Sequence, residues 1–422
     1  MKLNKFAQRN FLILAVTSSF LVIPNYVSNA GDQVIRIAQE NFAATQFKVF
    51  KDAAAIYEKA NPGWKVDLVQ QDGALYESIG ETNLLKGNNS PDAYFDWIGA
   101  GSNLRFQQGF GSDIAPYLAK SKLTTYLSSS VLSRGQLNGK QQILPFSSDV
   151  SNVIWYDTDE FKKYNLTPPK TWADLIAICA KFKAAGKTCF SIGNKDKWVA
   201  GNFFAHLYSR TIGDDLYGNI LSLKSPITDP KLATALGYIT DLVKKGYVNS
   251  DVNAINDQEA ETKFFNNGGE LLPMGSWLIG IAQDQAPKKH IDFFNLPAIP
   301  GGLGDQSSVL GTTTGYIFNA KSKHLDQVTK FFEALYSPQI TKELISAGYS
   351  PLTKDATISS QTALEQKLVV MFNKATHIVP PPDTGYGQKE ADALNSATAE
   401  MLGLVKTPNA ALTEAAAALK TK

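Results

Sequence analysis

Val34-Ile35-Arg36-Ile37-Ala38 opens the stretch that decides the fold, and Trp64-Lys65-Val66-Asp67-Leu68 closes it. The first run reads as a short strand. Between the two, Phe47, Phe50, Ala54 and Tyr57 recur at helical spacing on one face. Asn61-Pro62-Gly63 stops that helix. The residues from Trp64 then alternate as a second strand. Strand, helix and strand of this length make a βαβ unit, and such a unit implies a parallel sheet.

A second unit is written further on. Val153-Ile154-Trp155-Tyr156 reads as a strand, and Pro168-Pro169 follows. Thr171-x-x-Asp174 is a capping-box pattern for a helix with Trp172, Leu175, Ile176, Cys179 and Phe182 on one face. Gly186 ends it, and Cys189–Ile192 is expected to return as a strand. Another helix carries Leu232, Leu236, Ile239 and Val243 up to Gly246. Residues 364–422 are helical and Ala-rich, broken at Val379-Pro380-Pro381-Pro382. No linker or repeat separates two independent domains. A chain this long exceeds what one core supports, so about two lobes are expected, interleaved in sequence.

Residues 1–30 have the pattern of an export signal. Lys2, Lys5 and Arg9 give a basic start, Phe11–Val16 an apolar run, and Ser28-Asn29-Ala30 a small-x-small cleavage site. Thr17-Ser18-Ser19 and Pro24 interrupt the apolar run, which suits a cleaved signal better than a membrane anchor. Cleavage after Ala30 is expected, giving an exported, periplasmic protein. Removing those three positive charges takes the net charge from +2 to −1. A near-neutral chain without basic runs argues against a nucleic-acid partner.

The two cysteines are Cys179 and Cys189. Export permits a disulfide. A helix through Cys179 and an extended return from Gly186 cover similar lengths, about 10 Å each, so the sulfurs can meet. A disulfide is the favoured reading, and two buried thiols the alternative. C-x₉-C is not a redox motif, so such a bond is a local staple.

The four histidines show no metal-ligand spacing, and no cofactor is expected. No phosphate loop or nucleophile elbow is present. What stands out is aromatic residues beside polar ones at segment ends: Asp96-Trp97, Lys197-Trp198, Gly275-Ser276-Trp277 and Gly385-Tyr386. A sugar packs its C–H face on an aromatic ring, and a carboxylate accepts from two adjacent hydroxyls. Trp64, Trp155 and Trp172 sit inside periodic segments and read as core. Trp97 and Trp277 fall where strands should end, the ligand edge of an open α/β sheet.

Several phrases resemble family-1 extracellular solute-binding proteins, the sugar receptors of ABC importers of the maltose-binding type. They are Leu137-Asn138-Gly139-Lys140, Leu144-Pro145-Phe146, Val153–Asp157, Pro168–Leu175, Ala260–Gly268, Met274-Gly275-Ser276-Trp277 and Gly315–Ser322. The resemblance implies an α/β, two-lobed periplasmic-binding-protein fold (type II), each lobe a mostly parallel sheet flanked by helices. It implies three hinge crossings, near 147–152, 295–300 and 347–352. Residues 31–148 and 298–349 would form the N-terminal lobe, and 149–297 and 350–422 the C-terminal lobe. It implies a monomer that captures a sugar by hinge closure for a transmembrane permease, without catalysis. Matched positions give Glu40, Asp96, Trp97, Asp149, Trp198, Trp277 and Tyr386 as ligand contacts. Tyr386 stands where the maltose receptor has a tryptophan.

Two alternatives remain at this point. A receptor of the same fold for a charged sugar or a glycerol-phosphate-like solute needs a cation in the cleft, such as Arg105, Lys197 or Arg210. An exported glycosidase needs two carboxylates flanking one bond.

Overall fold

A computed structural model describes residues 33–40, 43–71, 73, 76, 81–356 and 362–421. The signal segment and its cleavage site lie outside them. β1 (Gln33–Glu40) and β2 (Trp64–Gln71) pair in parallel around α1 (Ala44–Ala60). α1 buries Val49, Phe50, Ala53, Ala54 and Tyr57, one stripe of a 3.6-residue period. Gly63 makes the turn into β2 at φ +84°, a conformation side chains resist. β3 (Ala93–Trp97) joins β1 in parallel and leads into α2 (Ala100–Gln107).

β4 (Leu144–Asp157) then runs for 14 residues. α3 (Trp172–Ala184) starts on the expected capping box: the Asp174 amide donates to Thr171 Oγ1 at 3.2 Å, and the Thr171 amide to Asp174 Oδ2 at 2.9 Å. α4 (Trp198–Ile212), α5 (Pro230–Lys244) and α6 (Asp257–Phe265) precede β5 (Leu271–Met274). α7 (Leu278–Gln285), β6 (Ile291–Phe294) and β7 (Val309–Phe318) follow. α8 (Leu325–Leu335) and α9 (Pro338–Ser346) pack against α1. The chain ends with α10 (Ala363–Lys374), β8 (Ile378–Val379), α11 (Gln388–Leu402) and α12 (Pro408–Lys420).

Two hydrophobic cores divide these elements. Ile35, Phe50, Phe95, Phe332 and Tyr336 belong to one. Trp155, Phe182, Phe203, Leu236 and Met401 belong to the other. β4 gives Leu144 and Phe146 to the first core, then Val150 and Val153 to the second. β7 runs the other way, from Val309 and Leu310 in the second to Tyr316 and Phe318 in the first.

The strand order is β2-β1-β3-β7-β4-β5, with β8 beside β7 and β6 beside β4. Each lobe was expected to hold a mostly parallel sheet; β2, β1 and β3 of the first lobe run parallel, and the sheet becomes mixed where the crossing strands enter it. β1–β2, β1–β3 and β7–β8 are parallel, while β3–β7, β4–β7, β4–β5 and β4–β6 are antiparallel. The reason is topological: β4 carries the chain out to the second lobe and β7 carries it back, so the neighbours must run opposite ways.

Two expected crossings fall elsewhere. Leu296 and Ile299 pack in the second core, so 295–300 is not a passage between lobes. Arg210 pins that segment by donating to the carbonyls of Leu296 and Ser308. The return passage is the middle of β7, between Leu310 and Tyr316. Leu352 still packs on the first core and Leu364 on the second, so the last passage lies beyond 347–352.

Cys189–Ile192 is not a strand of the sheet either. Phe190 alone bridges to Val248 and Leu271. Beyond it the Asn249 side chain replaces a ladder: the Ile192 amide donates to Asn249 Oδ1 at 2.8 Å, and Asn249 Nδ2 to the Ile192 carbonyl at 3.1 Å. A Cys179–Cys189 disulfide staples α3 to this segment, with the Cα atoms 5.0 Å apart. Replacing both cysteines by alanine should lower stability by about 2–3 kcal/mol, from the entropy of a short closed loop. Urea unfolding checks this; an unchanged midpoint would mean the staple constrains nothing.

Candidate functional site

A cavity of about 430 Å³ lies between the two cores, where β4 and β7 pass from one to the other. The crossing strands supply its floor, with Ser147, Asp149, Ser151, Thr312 and Thr314. Glu40 and Trp97 line the first-lobe side, and each is the last residue of its strand. Trp198 and Trp277 line the second-lobe side.

The Gly275-Ser276-Trp277 turn explains itself residue by residue. A Cβ on Gly275 would fall 2.0 Å from the Trp277 ring, so only glycine lets the indole fold back over the backbone. Ser276 ties the turn to β4: its amide donates to the Val150 carbonyl at 2.8 Å, and its Oγ accepts from the Val150 amide at 3.2 Å. Trp198, the first residue of α4, sets its ring 5.9 Å from that of Trp277 at 49°. Across the cavity, Trp97 stands edge-on to Phe95 at 5.1 Å.

Asp149 accepts from Ser147 Oγ at 3.1 Å. Burial pushes its carboxyl up to about 6, against the lowering effect of that bond.

Five of the expected positions therefore line one cavity: Glu40, Trp97, Asp149, Trp198 and Trp277. Two do not. Asp96 is fully buried and held by Arg105, whose Nε donates at 2.7 Å. Its other oxygen accepts both from Arg105 Nη2 and, at 2.8 Å, from the Trp97 amide, so it braces the loop beneath the ring. Tyr386 packs edge-on to Tyr217 at 5.9 Å on the second core. The turn before it, Pro382–Gly385, presents Asp383 and Thr384 instead.

Asn202, Asp257, Glu261, Asp284 and Asp383 line the cavity without having been singled out. The signal for Glu261 was legible: it shares the buried face of α6 with Ala260 and Phe264, a stripe where a carboxylate is costly. Glu261 is 2% exposed. Burial, then the nearby Asp257 charge, pushes it up to about 8.

The cations named as candidates are all occupied elsewhere. Arg105 holds Asp96, and Lys197 Nζ donates to Ser396 Oγ at 3.1 Å. Arg210 is buried among carbonyls, and burial lowers it to about 10.

The lobes touch along the cavity rim. The Thr45 amide at the start of α1 donates to Asp284 Oδ2 in α7 at 3.1 Å. A Cβ on Gly99 would fall 1.8 Å from the Thr384 carbonyl oxygen, and one on Gly280 would fall 2.7 Å from Gln46 Nε2.

Two lobes on separate cores, joined by crossing strands around a polar and aromatic cleft, define a bilobed solute-binding protein. The family described as bacterial extracellular solute-binding protein matches residues 38–342, and the chain belongs to it. Similar to it is an uncharacterized ABC transporter extracellular-binding protein of Pyrococcus horikoshii, 29% identical over 290 residues; the match covers 67% of this chain and 64% of that one. A multiple sugar-binding protein of Streptococcus mutans is 23% identical over 351 residues, covering 81% of this chain and 80% of that one. A solved chitin oligosaccharide binding protein shares the fold, with a TM-score of 0.82 at 19% identity over 92% of this chain and 98% of that one.

Glu261 predicts a pH dependence. The unfolded chain releases this proton near the ordinary value of 4.5, while the folded protein keeps it to about pH 8. Stability on this account falls as pH rises between those values and levels off above. Glu261→Gln should raise the Tm of unliganded protein by about 3 °C or more near pH 7.5 and leave it unchanged near pH 4.5. A lower Tm for the variant near pH 7.5 would contradict the assignment.

Proposed function

We propose that this protein captures a sugar in the interlobe cleft and delivers it to the membrane permease of an ABC importer. The observation that carries the reading is the cleft itself: indole rings on both walls, with hydroxyl and carboxylate acceptors between them. That is the chemistry a pyranose asks for. A volume of about 430 Å³ falls at the small end of small-molecule sites, about 300–1,000 Å³. It suits a mono- or short oligosaccharide.

In this reading Glu40, Trp97, Asp149, Trp198 and Trp277 touch the ligand, and Asp96 acts behind Trp97. The N-terminal lobe is 31–148 with the segment from mid-β7 to about 356, and the C-terminal lobe takes the rest. The protein works as an exported, periplasmic monomer, cleaved after Ala30, without nucleic acid and without turning its ligand over. The glycerol-phosphate alternative loses support, because the cavity lining holds no Lys or Arg among the described residues. The glycosidase alternative has the family against it, and recovery of unmodified ligand after prolonged incubation tests it.

A thermal-shift screen over neutral, amino and acidic sugars finds the ligand, since a compound bound only by the folded state raises Tm. With that ligand, Trp277→Ala should lose about 2–4 kcal/mol of binding, typical of a central aromatic anchor. Titration calorimetry reads it. Affinity within twofold of the parent would take Trp277 out of the contact set.

The ligand touches residues of both lobes, so it favours the closed arrangement and shifts the population toward it. Small-angle scattering should show the radius of gyration falling at saturating ligand. No change in a protein that is open when empty would rule out hinge closure.

A further inference from the structure

The charge around the cleft is one-sided. Glu40, Asp149, Asp257, Glu261, Asp284 and Asp383 line it. No Lys, Arg or His does so among the described residues. The internal positions outside them, 41–42, 72, 74–75, 77–80 and 357–361, contain none either, and add Asp72 and Glu77 to the sequence.

Three of these acids meet no cation among the described residues. Asp149 has Ser147 as its hydrogen-bond partner, and Asp383 has the Thr384 amide at 2.8 Å. Glu261 is the sharpest case: it is 2% exposed, borders the cavity, and makes no hydrogen bond among the described residues. On the same cavity, Asn202 is 6% exposed, and its buried Oδ1 has no hydrogen-bond partner among the described residues.

A buried carboxylate without a partner is costly, and the cost is offset by a counter-charge that donates hydrogen bonds. Neutral hydroxyls supply donors but no charge. The Trp198 and Trp277 rings, 5.9 Å apart, add the electron-rich faces that attract a cation. All of these features ask for the same partner.

We propose that the sugar taken by this cleft is aminated: a mono- or short oligosaccharide bearing at least one protonated amine, received among Glu261, Asp149 and the Trp198–Trp277 pair. This rests on the sugar reading above and narrows it. Burial holds Glu261 and Asp149 up to about 8 and about 6 in the empty protein. An ammonium group brought against them restores their charged forms.

The test uses the exported chain and matched sugar sets differing at one position: a free amine, its N-acetyl form and the hydroxyl parent. Glucosamine, galactosamine and mannosamine series, as monomers and β-linked dimers, are titrated calorimetrically. The amine should bind at least about tenfold tighter than both counterparts in one or more sets. Raising salt from about 0.05 to about 0.5 M should shrink that preference. Glu261→Gln should reduce it severalfold while the variant remains folded by circular dichroism.

If neutral members bind as tightly as amines in every set that binds, the proposal fails and the sugar reading stands. If an acidic sugar binds tightest in the screen, the result is the same. If a sugar-free amine such as choline or spermidine outbinds all of them, or no sugar binds, the sugar reading and this proposal fall together.

Discussion

Two strands have to serve two cores, and most of the site follows from that. A strand leaving one apolar core for another passes through a stretch that neither core covers. Side chains there have to be polar, because water or a solute will meet them. In β4 that stretch reads Ser147-Ser148-Asp149, with Ser151 just beyond, and in β7 it reads Thr312-Thr313-Thr314. The two stretches pair across the gap, and Ser147 Oγ and Thr314 Oγ1 lie 2.9 Å apart, buried. The register shifts on both sides, between Pro145 and Ser147 and between Val150 and Asn152. Such irregularities bend a strand and re-aim its side chains. The crossing between cores, the polar floor and the cavity are therefore one feature of the sheet.

The aromatic walls depend on buried polar braces behind them. The Trp155 indole N–H donates to the carbonyls of Met274 at 3.1 Å and Gly275 at 3.2 Å, fixing the turn that carries Trp277. On the other lobe, Arg105 and Asp96 do the same for the loop of Trp97. Each platform ring is only half-buried, yet its backbone is held from the core side. A binding surface of this kind spends little ordering entropy when the ligand arrives.

These arrangements also show what was readable in the chain. α1, α3 and α5 each carry their own apolar stripe and end at glycine or asparagine, so local pattern sufficed for them. Gly275-x-Trp277 was readable because its chemistry is local: the ring needs the space of the missing side chain. The second crossing was not. Asn295–Gly302 has the proline and glycine of a junction, whereas the true passage is the unbroken middle of a strand and carries no turn signal. Asp96 was misread for a related reason. An acid beside an aromatic at a strand end suits a ligand contact and an internal brace equally, and only its pairing with Arg105, nine residues on, separates the two. Tyr386 and Asp383 are three residues apart on one turn, and which of them faces the cleft depends on tertiary packing against Tyr217.

The carboxylates give the cleft a further property. Asp149, Glu261 and Asp383 are already raised by burial. Bringing the lobes together over an empty cavity removes more water from these groups and raises the cost of their charged forms. Bringing them together over a ligand replaces the lost water with donated hydrogen bonds. On the proposed function, the same acids oppose closure when the site is vacant and favour it when the site is filled. That difference biases a two-state hinge toward reporting occupancy. It needs no contact at the hinge itself, only acceptors placed where the two crossing strands leave both cores.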